Sequence, residues 1–321
     1  MLNHLIWIGP ALAGPGGPAD PHLDLDLGRG AQEQEEEEEA PQEEGWSYRA
    51  FAFGRAYGGA DFDDAGGDLD VHRFGVAFTA SRPLGGDYRL TLGTRVERSE
   101  YDFGGSSFTG GVSDPFDDLY RPSVWASLSG VYSEEVSWTG SLFTSAGVES
   151  GAGFSDAFTY GLGGTVRYEF SDTFALSLGL FGTTRLEDDF LVYPVSAIDW
   201  QISEDLHLGS EGSGVGLGLE LSEKVRTYFN VAFEVRQFRL DGDDFAVPTG
   251  SGPVQFADGV FRDDELSANL GVLWTPSDEL AVELTAGVAL RETTLLTDGG
   301  DGIQDDVDPA PYLGLSISYG F

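Results

Sequence analysis

The chain has no cysteine, a single methionine and only four histidines among its 321 residues. Without cysteine there is no disulfide framework and no thiolate chemistry, although the absence suits exported and cytosolic proteins alike. Scarce histidine narrows any imidazole-dependent mechanism: past the N-terminal segment only His72 and His207 remain. Basic residues are also few, 17 against 55 acidic ones, for a formal net charge of −38. Such a field repels nucleic acid, and no basic stripe offsets it. Finally, no run of 18 apolar residues occurs, which excludes a transmembrane helix. A closed barrel remains as the other fold that satisfies its backbone in lipid, and it hides its apolar surface in alternation.

What the chain does have is 46 Gly, 22 Phe and 12 Tyr, a composition of strands and turns rather than helices. In residues 310–321, Leu313, Leu315, Ile317, Tyr319 and Phe321 share one face of a strand, and Gly314, Ser316, Ser318 and Gly320 share the other. This segment resembles the closing strand of bacterial outer membrane β-barrels, the strand read during membrane insertion. The resemblance implies a lipid bilayer and the barrel assembly machinery as partners.

Residues 1–13 read as a shortened signal peptide, apolar from Leu5 and ending in Ala11-Leu12-Ala13 but lacking a positive n-region; a plain disordered terminus is the alternative. Residues 14–45, rich in Pro, Gly, Asp and Glu with the run Glu35 to Glu39, bury too little apolar surface to fold and are expected to be disordered. Residues 46–321 form the barrel domain. Alternating segments fall at 47–57, 69–80, 87–100, 119–132, 136–149, 156–170, 173–187, 192–202, 205–210, 214–222, 224–240, 260–275, 279–293 and 310–321. Short connections such as Ser171-Asp172 and Ser203-Glu204 alternate with long ones such as 101–118, 241–259 and 294–309.

The pattern predicts an all-β, antiparallel, up-and-down transmembrane barrel of 14 strands with both termini periplasmic. Twelve is the runner-up, since 205–210 is too short to span and 47–57 places Arg49 and Arg55 on the face of Phe51 and Phe53. Whether 47–57 or 69–80 meets the final strand decides the size.

On the apolar phase, aromatics crowd toward the short turns: Tyr88, Tyr132, Trp138, Tyr168, Phe170, Phe174, Trp274, Tyr319 and Phe321. Such rings favour the headgroup level. The opposite, lumen-facing phase carries Arg73, Arg89, Arg95, Arg121, Arg167, Arg185, Arg226, Arg236 and Arg291, interleaved with Glu97, Glu169, Glu187, Glu220, Glu234 and Glu283. Charges belong on this side because lipid penalises them. Two roles are open: a charged constriction that selects small solutes, or a salt-bridge ladder that fills the lumen. Inward Trp125, Phe143 and Phe181 would narrow it further.

Other chemistry finds little footing. Asp298, Asp301 and Asp305 lie in an acidic stretch that could offer oxygen ligands to calcium, but the D-x-D-x-D-G spacing is absent. Solvated loops are the alternative reading. Neither histidine sits in a local motif resembling those of barrel lipases or proteases. Glycine alternations such as Gly214, Gly216 and Gly218 lack the strand-loop-helix context of a phosphate loop, and no cofactor motif occurs.

The stretches Asp87-Tyr88-Arg89-Leu90-Thr91-Leu92-Gly93, Tyr168-Glu169-Phe170-Ser171-Asp172-Thr173, Leu219-Glu220-Leu221-Ser222-Glu223-Lys224 and Pro309-Ala310-Pro311-Tyr312-Leu313-Gly314-Leu315 together resemble an uncharacterised family of bacterial outer membrane β-barrels. The likeness covers roughly 69–321. It implies a fold and an outer membrane location, and no substrate. The expected function is a passive channel or solute-binding, porin-like barrel, not an enzyme. The alternative is a plugged structural or adhesive surface barrel whose acidic loops bind, divalent cations included; oligomeric state is left open.

Overall fold

A computed structural model describes residues 45–321, apart from 106, 113–114, 242–245, 250–251 and 298–301. The first two sequence regions, 1–13 and most of 14–45, lie outside the described residues, as do Asp298 and Asp301.

The elements are β1 (Ser47–Asp61), β2 (Asp68–Pro83), β3 (Tyr88–Gly104), β4 (Leu119–Ser133), β5 (Val136–Ala146), β6 (Val148–Glu149), β7 (Phe158–Ser171), β8 (Phe174–Arg185), β9 (Asp188–Gln201), β10 (Leu206–Glu211), β11 (Gly214–Ser222), β12 (Val225–Arg239), β13 (Ala246–Thr249), β14 (Gly252–Gln255), β15 (Val260–Trp274), β16 (Leu280–Leu296) and β17 (Gly302–Gly320). Strands β13 and β14 form a separate hairpin, and β6 is a two-residue bridge. The fourteen others pair antiparallel, each with its neighbour, and the ring closes where β1 meets β17.

That closure settles the strand count. Residues 49–57 pair with 320–312, so the arginine-bearing 47–57 segment is the closing partner and the barrel has fourteen staves, not twelve. Tyr48 and Phe321 exchange backbone hydrogen bonds at 2.9 and 3.0 Å, and their rings stack 5.7 Å apart. The mixture of Arg and Phe on one face of β1 makes sense because that face is inward: the Arg95 guanidinium lies 4.6 Å over the Phe53 ring. Outward, β1 offers Ala50, Ala52, Gly54 and Ala56, and the Phe74 ring of β2 lies against Gly54.

Around the wall the period-two pattern places a belt of exposed apolar side chains, including Phe74, Val76, Leu162, Leu178, Leu270, Leu284, Leu313 and Leu315. A closed barrel with such a belt is built to sit in a bilayer, where full ladder pairing leaves no unsatisfied edge in lipid. At the short-turn end predicted aromatics meet ring to ring, Tyr88 with Trp138, Tyr168 with Phe170 and Phe170 with Phe174, and Trp200, which the pattern does not name, joins Phe174.

Beyond the belt, at the opposite end, the polarity of the wall inverts. Its outer face there carries the ion pairs Arg98–Glu100, Arg98–Asp118 and Arg262–Asp264. Its inner face is a buried core of Phe62, Leu69, Phe103, Leu119, Phe238, Phe261 and Leu295, joined by residues of the connections such as Phe108 and Phe256. Outside the membrane the surrounding solvent is water, so charge turns outward and apolar groups turn in.

This inversion corrects one expectation. The acidic stretch 294–309 reads as a long loop, yet β16 runs on to Leu296 and β17 begins at Gly302. Ile303, Asp305 and Val307 face in, while Gln304 and Asp308 face out. A one-residue register shift between Ala289 and Arg291 of β16 resets the phase opposite Pro309, which has no N–H to give to the ladder.

The second correction concerns 136–149, which is not one strand. After β5 the chain turns inward, and β6 pairs with β4 through Leu119–Glu149 and Tyr120–Val148, and in parallel with β12 through Val148–Arg239. Strands β4 and β12 are the fourth and eleventh of fourteen staves, so this segment crosses the lumen. Gly147 permits the crossing: a Cβ there would lie 1.7 Å from the Gln237 carbonyl oxygen, and its own carbonyl accepts from the Arg239 N–H at 2.9 Å. The loop-side half of the barrel is thereby divided into a larger lobe (β1–β4, β12, β15–β17) and a smaller one (β5, β7–β9).

Two of the loop-side connections are tight turns rather than long loops. Strand β8 turns into β9 through Leu186 and Glu187, the latter at φ 54°, and β10 is joined to β11 through Gly212 and Ser213. The six-residue β10 is a true stave but a low one, pairing with β9 only at 199–201.

Candidate functional site

The lumen is the site, and it has three levels. At the turn end is an open vestibule. Midway, in the larger lobe, lies a plate of charged side chains, and above it sits the aromatic core.

The plate forms because Arg73 of β2, Glu97 of β3, Arg121 of β4, Arg236 of β12, Asp263 and Glu265 of β15 and Arg291 of β16 all fall on the inward phase at one depth. Glu97 receives Arg95 at 2.5 Å, Arg121 at 3.2 Å and Arg236 at 3.0 Å. Glu265 receives Arg73 at 2.5 Å and Arg291 at 2.9 Å, while Arg73 also pairs with Asp263. Glu234 pairs with Arg236. Hydroxyls complete the layer: Tyr57 donates to Glu265 at 3.1 Å and Tyr101 to Asp263 at 2.7 Å, and the Arg291 guanidinium stacks 3.8 Å from the Tyr57 ring centre. Arg73 and Glu97 are wholly inaccessible to solvent. Burying this many charges is tolerable only because each meets an opposite one and further hydrogen bonds.

The sequence places most of these side chains inward. It does not single out Asp263, Glu265, Tyr57 or Tyr101. The signal for the first two is the run Arg262-Asp263-Asp264-Glu265, whose alternate members face opposite ways: Arg262 and Asp264 pair outside, while Asp263 and Glu265 turn inward to Arg73.

A second network lines the wall near the turn end. Arg167 meets Glu169 at 3.2 Å and Asp199 at 2.7 Å; His207 Nε2 lies 2.7 Å from Asp199, and its Nδ1 lies 3.2 Å from Arg226, which pairs with Glu220 at 3.5 Å. Because the guanidinium can only donate, Nδ1 accepts and Nε2–H donates to Asp199. Both ring nitrogens are engaged, and among the described residues no serine hydroxyl is hydrogen-bonded to either. His72 points outward and is exposed.

The remaining sequence candidates are dispersed. Arg89 lies exposed at the turn-side rim, Arg185 ends β8, and Glu187 in the β8–β9 turn pairs with Arg239 at 2.5 Å. Glu283 accepts from Ser316 Oγ at 2.9 Å and from the Tyr228 hydroxyl. Asp305 receives the backbone N–H groups of Asp64 and Ala65 at 3.2 and 2.8 Å, pinning the β1–β2 connection. Among the described residues no group of three or more carboxylates or histidines is placed to hold a metal ion.

Inward aromatics lie against glycines of the neighbouring strands, and Phe143 and Phe181 also pack with Tyr193 and Val195 in the smaller lobe. Trp125 lies flat over Gly93, Phe53 over Gly75, Tyr228 over Gly271, Phe143 over Gly161 and Phe181 over Gly163, each ring occupying the space a Cβ would need. The space left free in the larger lobe is lined by Phe53, Arg55, Arg95, Asn230, Asn269 and Glu283, among others. Gly161→Val is therefore expected to push Phe143 off the wall and break its stack with Phe181, whose ring centroid is 5.5 Å away. Overpacking of this kind costs about 1–3 kcal/mol, to be read from the urea midpoint of the refolded barrel.

No protein-family model and no curated protein sequence matches the chain. Among solved structures it is similar to an outer membrane channel from Pseudomonas putida F1, with 9% identity, 88% of this chain and 100% of that chain covered, and a TM-score of 0.45. It is also similar to the P. putida toluene transporter TodX, at 12% identity, 88% and 90% coverage and a TM-score of 0.39. A third is the KdgM porin, at 9% identity, 84% and 99% coverage and a TM-score of 0.35.

Proposed function

We propose that this chain is a porin-like barrel of the bacterial outer membrane that admits small solutes into its turn-side vestibule and passes them without consuming energy. The observation that carries this reading is a closed barrel, apolar outside, whose lumen keeps a cavity below the plate lined by both polar and aromatic side chains. Short turns and termini would face the periplasm. The charged plate and aromatic core cross the larger lobe, and Phe181, Tyr193 and Val195 pack with Phe143 in the smaller one, so passage would need side chains of one lobe to move aside. Catalysis has no support in the geometry, because His207 is tied into ion pairs and His72 faces out. Insertion by the barrel assembly machinery through the Leu313–Phe321 face is part of the same reading.

A plugged surface barrel is the competing reading, and the aromatic core favours it. Planar-bilayer recording decides between them. The passage reading expects small, steady openings, well below those of an unobstructed pore of this strand number. Silent bilayers containing barrel that still shows a boiling-dependent gel shift would reject passage and leave the plugged reading.

A further inference from the structure

The cavity beneath the charged plate is hollowed out by small side chains. Asn230 of β12 pairs directly with Asn269 of β15, and the residues flanking them at that level are Gly216 of β11 and Gly287 of β16. A Cβ on Gly287 would lie 2.7 Å from that of Asn269, so nothing larger fits beside the amides. Two residues nearer the plate, Ala232 pairs with Ser267. These four side chains line the cavity together with Phe51 and Phe53 of β1, whose rings are 5.8 Å apart. The space takes about three water molecules, close to the bulk of a three-carbon polyol.

The charged groups of the lining are already matched. Arg95 pairs with Glu97 and Glu234 with Arg236; Glu283 accepts from Ser316 and Tyr228, and Arg55 is hydrogen-bonded to Tyr57. An ionic solute would have to pull one of these groups from its partner, whereas a neutral one leaves them all in place. The two asparagines differ from the rest of the lining. They are only 9 and 8% exposed, and neither Oδ1 receives a hydrogen bond from any described residue. A buried acceptor without a donor is costly, and its need is met by a molecule that brings O–H or N–H groups into the space. A half-turn of either amide plane presents its oxygen or its nitrogen to such a molecule without changing shape.

We propose that this cavity is a binding site for small neutral polyols, with glycerol the size that fits it. Neighbouring hydroxyl groups donate to Asn230 and Asn269, and the carbon chain rests against Phe51 and Phe53. Hydroxyls suit the site because each can both donate to and accept from an amide. This rests on the lumen being a solute-binding space, and it names the class of solute.

The test uses the full chain folded in glycerol-free detergent micelles, with folding verified by the gel shift, and saturation-transfer NMR titrations with glycerol, 1,3-propanediol and urea. Glycerol is expected to bind about five-fold more tightly than 1,3-propanediol, the scale of one hydrogen bond, and more tightly than urea. Asn230→Leu and Asn269→Leu are each expected to weaken glycerol by about ten-fold without lowering the urea midpoint, because each removes an amide whose oxygen has no partner in the protein. Ala232→Val, which fills the hollow and keeps both amides, is expected to weaken glycerol and 1,3-propanediol alike. Equal affinities for glycerol and 1,3-propanediol, tighter binding of urea, no binding to folded barrel, or asparagine variants that lower the midpoint and leave glycerol affinity unchanged would overturn the proposal. Silent bilayers with the binding pattern intact would reject passage and keep the site; conducting bilayers without that pattern would do the reverse.

Discussion

Glu97→Ala should lower the stability of the refolded barrel by about 3–5 kcal/mol, the cost of leaving a buried charge partner behind. Glu97 is the hub of the plate, with Arg95, Arg121 and Arg236 from three different strands converging on it and no solvent reaching its carboxylate. Its removal leaves three guanidinium groups facing one another in a low-dielectric layer. The measurement is the urea midpoint in lipid or detergent, with the slope checked for two-state behaviour. Because the loss arises from uncompensated arginine, adding Arg236→Met to Glu97→Ala should recover part of it. A midpoint unchanged by Glu97→Ala would mean that water or an ion already satisfies those arginines.

Phe103→Ala should cost about 3–5 kcal/mol by the same assay, as expected for emptying the site of a buried aromatic. Phe103 is fully buried, its ring within 6.5 Å of those of Phe62, Tyr101, Phe108, Phe116 and Phe261. It sits where the wall has left the membrane, so the surrounding groups cannot collapse onto lipid and a cavity remains. Substituting Phe74, equally large but facing the belt and half exposed, should cost much less. Similar losses at the two positions would contradict the inversion of polarity between belt and extension.

The two assays also separate levels of legibility. Strand existence, phase and the turn-side aromatic girdle were readable because lipid imposes strict period-two alternation on every stave. The acidic 302–309 stretch was not, because in water the same alternation runs with charges outward, and Gln304, Asp306 and Asp308 look like loop residues until Val307 and Ile303 are seen to face a core. Strand β1 was doubtful because Arg49 and Arg55 share a face with Phe51 and Phe53, a mixture that fits only a lumen-facing side. Its outward face is alanine and glycine, which carries no hydrophobic signal, although Phe74 of the next strand covers it.

Inward charges were recognisable one strand at a time, but their partners were not. Arg236 meets Glu97 across 139 positions of sequence, and Arg73 meets Glu265 across 192. No local spacing encodes such pairs; they exist because the partition brings β12 against β4 and folds the larger lobe into a narrow ring. The same holds for the aromatics read as obstructions. Trp125 points inward as its phase requires, yet Gly93 on the neighbouring strand receives it flat, whereas Phe143 joins Phe181, Tyr193 and Val195 inside the smaller lobe.

By itself the sequence determined a lipid-facing wall of alternating segments and which side chains look inward, since alternation and turn chemistry are local and the bilayer enforces them, while the pairing of β1 with β17 chose fourteen staves over twelve. Tertiary structure alone decided that residues 147–149 cross the lumen and that the larger lobe is sealed by paired charges under an aromatic core. Those outcomes depend on which staves face each other across the barrel, a relation set by closure and by one inward-turning glycine rather than by any stretch of the chain.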